Sequence, residues 1–133
     1  METPQPPIRV VIAEDNADLS SALRALLELE PDLQVTATVD RCAELPAVLR
    51  RDAAQVVVLD LNLAGESSLA SMLAVRSEMP GLAVVVYSGY DRRDIGDALL
   101  QLGASEYVSK SSDTGELLAA IRRAARNAAG SGR

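Results

Sequence analysis

Residues 55–60 read QVVVLD, four consecutive aliphatic side chains closed by an aspartate. A strand with one wet face alternates apolar and polar residues, and this run does not. It is too short for a helix, and three of its members are β-branched. Such a run fits a central strand of a parallel sheet, buried on both faces by covering helices.

Working outward, similar runs recur as IRVVIA (8–13), LQVTATV (33–39), LAVVVYS (82–88) and EYV (106–108). Helical patterns lie between them. The first, near 17–30, places Leu19, Leu23, Leu26 and Leu27 on one face. The second, near 43–51, carries Pro46 in its first turn, where proline is tolerated. The third runs from Ser67 or Ser68, either one a suitable N-cap, to Met79, where Pro80 and Gly81 stop it. The fourth presents Ile95, Ala98, Leu99 and Leu102, with Gly103 as its stop. The fifth, from about Asp113, presents Leu117, Ile121, Ala124 and Ala128. Five strands alternating with five helices predict an α/β domain: a five-stranded parallel sheet with helices on both faces. The expected organisation is a Pro-rich leader over 1–7, a domain over 8–127, and a flexible tail or linker start over 128–133.

Composition narrows the chemistry. A chain of 133 residues suits one domain. The net charge of −6 argues against direct nucleic-acid binding by this segment. No apolar run approaches the roughly 20 residues of a membrane span. Cys42 is the only cysteine, so a reducing, cytoplasmic setting is expected. There is no histidine, which removes Ser-His-Asp and Cys-His catalysis and every imidazole metal site. The remaining groups are carboxylates, hydroxyls, backbone and one lysine, with a hard oxygen-loving cation as the natural companion.

In an open parallel sheet, ligands bind beyond the carboxyl ends of the strands. Glu14 and Asp15 follow the first strand, Asp60 the third, Ser88 the fourth and Lys110 the fifth. Each alone has an ordinary explanation as a turn, a helix-start acid or a solvated charge. Together they place three acids, a hydroxyl and an ammonium along one edge. Three clustered acids repel unless cations lie among them. Phosphoryl transfer suits such a cluster, because it depends on positioning and charge stabilisation. Asp60 is the expected nucleophile, forming an acyl phosphate. Mg²⁺ is expected on Glu14, Asp15 and Asp60, with Lys110 and Ser88 contacting the phosphoryl oxygens. Twelve of the thirteen cationic residues are arginine, so the lone lysine points to a site shaped for a compact ammonium.

The stretches VVIAEDN (10–16), VVVLDLNL (56–63), VVVYSGY (84–90) and GASEYVSK (103–110), in this order, resemble the response-regulator receiver domain of two-component signalling over about residues 8–127. The resemblance is to receivers that precede helix-turn-helix output domains, in view of Ser111 after the lysine and EPDLQV after the first helix. It implies a (βα)5 flavodoxin-like receiver fold and phosphorylation of Asp60 by a histidine kinase with Mg²⁺. It further implies that the backbone carbonyl of Asn62 completes the metal shell, and that Ser88 and Tyr107 are switch residues. The departures are Leu63-Ala64-Gly65 where Met-Pro-Gly is frequent, Ser68 where a glycine is usual, and Ser111 where a proline is common.

The expected output is a dimerisation or partner-binding face made by the fourth helix, fifth strand and fifth helix, with Arg92, Arg93, Arg122 and Arg123 nearby. Transcriptional regulation through an output domain absent from this chain is expected, without turnover of an external substrate. The alternatives are a free-standing or phosphorylation-independent receiver, and a phosphatase of the haloacid-dehalogenase type. The phosphatase fits less well, since its acid pair belongs on the first strand and Asn62 stands where the second acid would be.

Overall fold

The computed structural model describes residues 5–131, apart from the side chains of Arg92, Gly130 and Ser131. Its strands are β1 (Ile8–Ala13), β2 (Leu33–Val39), β3 (Val56–Leu59), β4 (Asn62–Leu63), β5 (Glu66–Ser67), β6 (Ala83–Ser88) and β7 (Glu106–Ser109). Its helices are α1 (Ala17–Glu28), α2 (Leu45–Arg51), α3 (Leu69–Glu78), α4 (Asp97–Gln101) and α5 (Thr114–Ser131). Five strands form one parallel sheet in the order β2-β1-β3-β6-β7. The chain starts at β1, steps outward to β2, then crosses to β3 on the other side. That reversal opens a crevice between the carboxyl ends of β1 and β3, where such sheets bind ligands.

Both faces of the sheet are buried, as the unbroken aliphatic runs require. Alternation divides each strand between two cores. Val10, Ile12, Val56, Val58 and Val85 pack against Leu23 and Leu27 of α1 and Leu117, Ile121 and Ala124 of α5. Val11, Val57, Leu59, Val84 and Val86 pack against Leu45 and Leu49 of α2, Met72 and Val75 of α3, and Leu99 of α4. With no Phe or Trp in the chain, these cores are almost wholly aliphatic.

The helices differ from expectation in three places. The second opens with a 3₁₀ turn, Cys42–Glu44, before α2 begins. The fourth opens with a π-helical turn, Arg92–Gly96. One extra residue in that turn rotates the rest of the helix, so Leu99 and Leu100 face the core, whereas Ala98 and Leu102 are exposed. The fifth continues to Ser131, past the expected tail start at 128, because Ala128 packs on the core and carries the helix with it. Residues 1–4 of the expected leader and 132–133 of the expected tail lie outside the described residues.

β4 and β5 form a short antiparallel hairpin that the sequence did not lead us to expect. Ala64 and Gly65 make its two-residue turn, both at positive φ (52° and 81°). That is the geometry of a tight hairpin turn, natural for glycine and strained for alanine.

Arg122 of α5 reaches across to the corner between α1 and β2, lying 2.7 Å from Glu30 and 2.8 Å from Asp32. The guanidinium holds the Asp32 carboxyl below its ordinary value of 3.8, mainly by hydrogen bonding. Such a group contributes stability that is present above the ordinary value and lost as pH falls through the lowered one. The pair is half exposed, so its worth is below about 1 kcal/mol. Arg122→Ala is therefore expected to remove a small stability decline below pH 3.8, read by urea unfolding at several pH values.

Candidate phosphoacceptor site

The sheet brings the strand-end groups together through backbone pairing. The Glu14 amide donates to the Val39 carbonyl (3.0 Å), that of Asp60 to Ala13 (3.1 Å) and that of Lys110 to Ser88 (2.7 Å). Each residue is thereby fixed one step beyond its strand. Lys110 Nζ lies 2.8 Å from Glu14 Oε1 and 2.8 Å from Asp60 Oδ2. One ammonium thus bridges two acids that sit on different strands. The side chain of Glu14 is 3% exposed and that of Lys110 is 26% exposed. Burial raises the Glu14 carboxyl above its ordinary value, against the lowering effect of Lys110. Burial alone would lower the Lys110 ammonium, but its bonds to Asp60 and Glu14 together outweigh that and raise it.

The remaining contacts orient the carboxylates. Asp60 Oδ1 accepts from the Asn62 amide (3.1 Å), and Glu14 Oε2 accepts from the Asn16 amide (3.0 Å). Asn16 also caps α1, its side chain accepting from the Leu19 amide (3.0 Å). Asp15 is exposed, yet one oxygen each of Glu14, Asp15 and Asp60 lie within 4.8 Å of one another. Glu14 and Asp15 open onto a cleft of about 410 Å³ that Ser20, Thr38, Asp40 and Glu44 also line.

A cluster of three oxygen donors suits a hard divalent cation. Glu14 Oε1 is buried, and the contact it makes is the ion pair with Lys110 at 2.8 Å. A carboxylate oxygen can serve two partners, so one of its lone pairs is available to a cation beside Lys110. The residues present fit a divalent metal.

Ser88 is 2% exposed, and its Oγ accepts from the Tyr90 amide at 3.3 Å. Tyr107 stands apart from the acid cluster. Its ring is buried, and its hydroxyl donates to the Tyr90 carbonyl at 2.5 Å. Ser88 and Tyr107 thus hold the same loop residue from its two backbone ends. Arg122 does not face this loop, because Glu30 and Asp32 hold it at the opposite corner, and Arg93 pairs with Asp91 at 3.2 Å. The Arg92 side chain lies outside the described residues.

Two contributors were not expected from the sequence. Tyr87 places its ring centroid 6.0 Å from Lys110 Nζ. Ser68, fully buried, donates its hydroxyl to the Asp60 carbonyl at 2.5 Å. Ser68 carried a signal, since it stands where the family usually has glycine.

This five-stranded α/β fold, with two acids after β1, an aspartate after β3 and a lysine after β7, defines a receiver-type domain. The model of the response regulator receiver domain family matches residues 10–122, and the chain belongs to that family. The residues matched are those of a receiver module, which does not itself turn over an external substrate. The nitrate/nitrite response regulator NarP of Escherichia coli is 32% identical over 120 residues, which cover 90% of this chain and 56% of NarP. A LuxR-family two-component response regulator from Aurantimonas superposes with a TM-score of 0.84 at 25% identity, covering 91% of this chain and 86% of that one. The receiver domain of the response regulator NarL from Mycobacterium tuberculosis does so with a TM-score of 0.82 at 26% identity, covering 92% and 98%. The chain therefore spans nearly all of the NarL receiver structure but little more than half of NarP. Among the described residues, no helix is long and apolar enough to cross a membrane.

Proposed function

We propose that Asp60 accepts a phosphoryl group from a histidine kinase, and that the resulting charge switches a protein-binding surface of a cytoplasmic transcriptional regulator. The observation that carries this reading is the Lys110 ammonium, 2.8 Å from both Asp60 and Glu14, with the Asp15 carboxylate in reach. One carboxylate oxygen of Asp60 attacks phosphorus as the bond to the donor's leaving group breaks, giving an acyl phosphate. Lys110 swings from the carboxylate to a phosphoryl oxygen, and the Ser88 hydroxyl donates to another. Glu14, Asp15, Asp60 and the Asn62 carbonyl would hold Mg²⁺, which would supply charge neutralisation. Residues 8–127 form the receiver, and regulation of transcription would pass through an output domain outside this chain, whose matched residues cover 56% of NarP.

The test is intact mass after incubation with acetyl phosphate, with and without Mg²⁺. One hydroxylamine-labile phosphate, seen only with Mg²⁺, is expected. A hydroxylamine-stable or Mg²⁺-independent adduct would overturn the reading.

The switch arises from the shared loop. When the Ser88 hydroxyl turns to the phosphoryl group, it changes its hold on the Tyr90 amide, and Tyr107 holds the carbonyl of that residue. Movement at Ser88 is thereby passed to β7 and to the face that α4, β7 and α5 make, where homodimerisation is proposed. Tyr107→Phe removes one hydrogen bond worth about 1 kcal/mol. It is expected to speed amide exchange over residues 89–96 several-fold in the unphosphorylated protein. Unchanged exchange there would separate Tyr107 from the switch.

A further inference from the structure

A serine in front of a helix ordinarily gives its oxygen to the helix's first amides. Ser68 precedes α3 and makes no such cap. Its hydroxyl instead donates to the Asp60 carbonyl (2.5 Å), while its amide donates to the Leu61 carbonyl (2.8 Å) and its carbonyl accepts from the Met72 amide (2.9 Å). One fully buried residue therefore grips Asp60 just past β3, Leu61 before the hairpin and the first turn of α3. The first amides of α3 are left to a long contact, Leu69 N to Ser67 Oγ at 3.3 Å.

The bond to the Asp60 carbonyl has a defined consequence. That carbonyl belongs to the peptide plane joining Asp60 to Leu61, and fixing a plane fixes the torsions on either side. The same short segment supplies the Asn62 amide that holds Asp60 Oδ1 at 3.1 Å. Asp60 is thus restrained at both ends: Ser68 holds its backbone, and Asn62 and Lys110 hold its carboxylate. Glycine at position 68 has no hydroxyl to offer, so this restraint comes with the serine.

We infer that Ser68 is a positioning residue for phosphoryl transfer, its hydroxyl holding the Asp60–Asn62 backbone in the attacking arrangement and tying it to α3. This rests on Asp60 being the phosphoacceptor. Its effect is on the bound reaction, because Ser68 has no exposed surface with which to touch a donor.

The experiment uses the whole chain and follows phosphate incorporation from acetyl phosphate at saturating Mg²⁺ over a range of donor concentrations. Ser68→Ala is expected to lower the maximal rate about fivefold, which is what one ordinary hydrogen bond is worth. The donor concentration at half-maximal rate should stay unchanged. Ser68→Cys, nearly isosteric with a weak donor, should give an intermediate rate. A maximal rate for Ser68→Ala equal to wild type, with only a lower urea midpoint, would make the hydroxyl merely structural and overturn the inference. Should the alanine variant not fold, Ser68→Cys decides: a reduced maximal rate supports positioning, and a wild-type rate refutes it. Labelling of an Asp60→Asn control marks failure of the acceptor assignment instead.

Discussion

Asp60→Asn is expected to fold as wild type does and to take up no hydroxylamine-labile phosphate. Asparagine has almost the same shape, and its side-chain oxygen can still accept from the Asn62 amide that now bonds Oδ1 at 3.1 Å. It lacks the anionic oxygen that attacks phosphorus in the proposed reaction. The loss should therefore be total rather than graded. Stability in the absence of metal should change by less than about 1 kcal/mol, since two effects oppose each other. Lys110 loses one of its two carboxylate partners, and Glu14 loses a neighbouring like charge. Intact mass and urea unfolding of the same sample separate chemistry from folding. An asparagine variant that labels like wild type would move the acceptor elsewhere.

Lys110→Arg is expected to slow phosphorylation by about tenfold or more, although charge is kept. The ammonium sits 2.8 Å from two oxygens on different residues, and a point donor on a flexible stem can serve both. A guanidinium is planar and wider, and it favours two parallel bonds to a single carboxylate. It must also fit behind Glu14, whose side chain is 3% exposed, and beside the Tyr87 ring. Removing such an electrostatic contact outright costs about 2.7–4 kcal/mol at a transferring group. Arginine keeps part of that, hence the smaller figure. A wild-type rate in the arginine variant would show that Lys110 is not in contact with the transferring group.

The central strands were plain in the sequence because QVVVLD and LAVVVYS are buried on both faces and show it in every residue. The strand-end groups came with them, since a parallel sheet delivers the residue after each strand to one edge. The hairpin left no trace: two-residue strands have no period, and Ala64 at φ 52° is a conformation that alanine rarely signals. The face of α4 was placed only in part, Ile95 and Leu99 packing as expected and Ala98 and Leu102 not, because a π turn changes the phase of a helix without changing its composition. Arg122 lies next to buried Ile121, at the border of two faces, and only its acidic partners decide which way it points. Ser68 was legible as a departure from glycine but not as a donor, because a hydroxyl can give or accept and sequence does not choose.

The aromatic residues have an optical consequence. The chain has no Trp or Phe, and its three tyrosines are Tyr87, Tyr90 and Tyr107. One stands beside Lys110, the second is 62% exposed on the loop after Ser88, and the third is bonded to that loop's backbone. Near-ultraviolet dichroism and intrinsic tyrosine emission therefore come entirely from beside Lys110 and from the loop after Ser88. Without a label or an engineered fluorophore, a stopped-flow trace of tyrosine emission is expected to report the proposed phosphorylation and the loop's response as one signal.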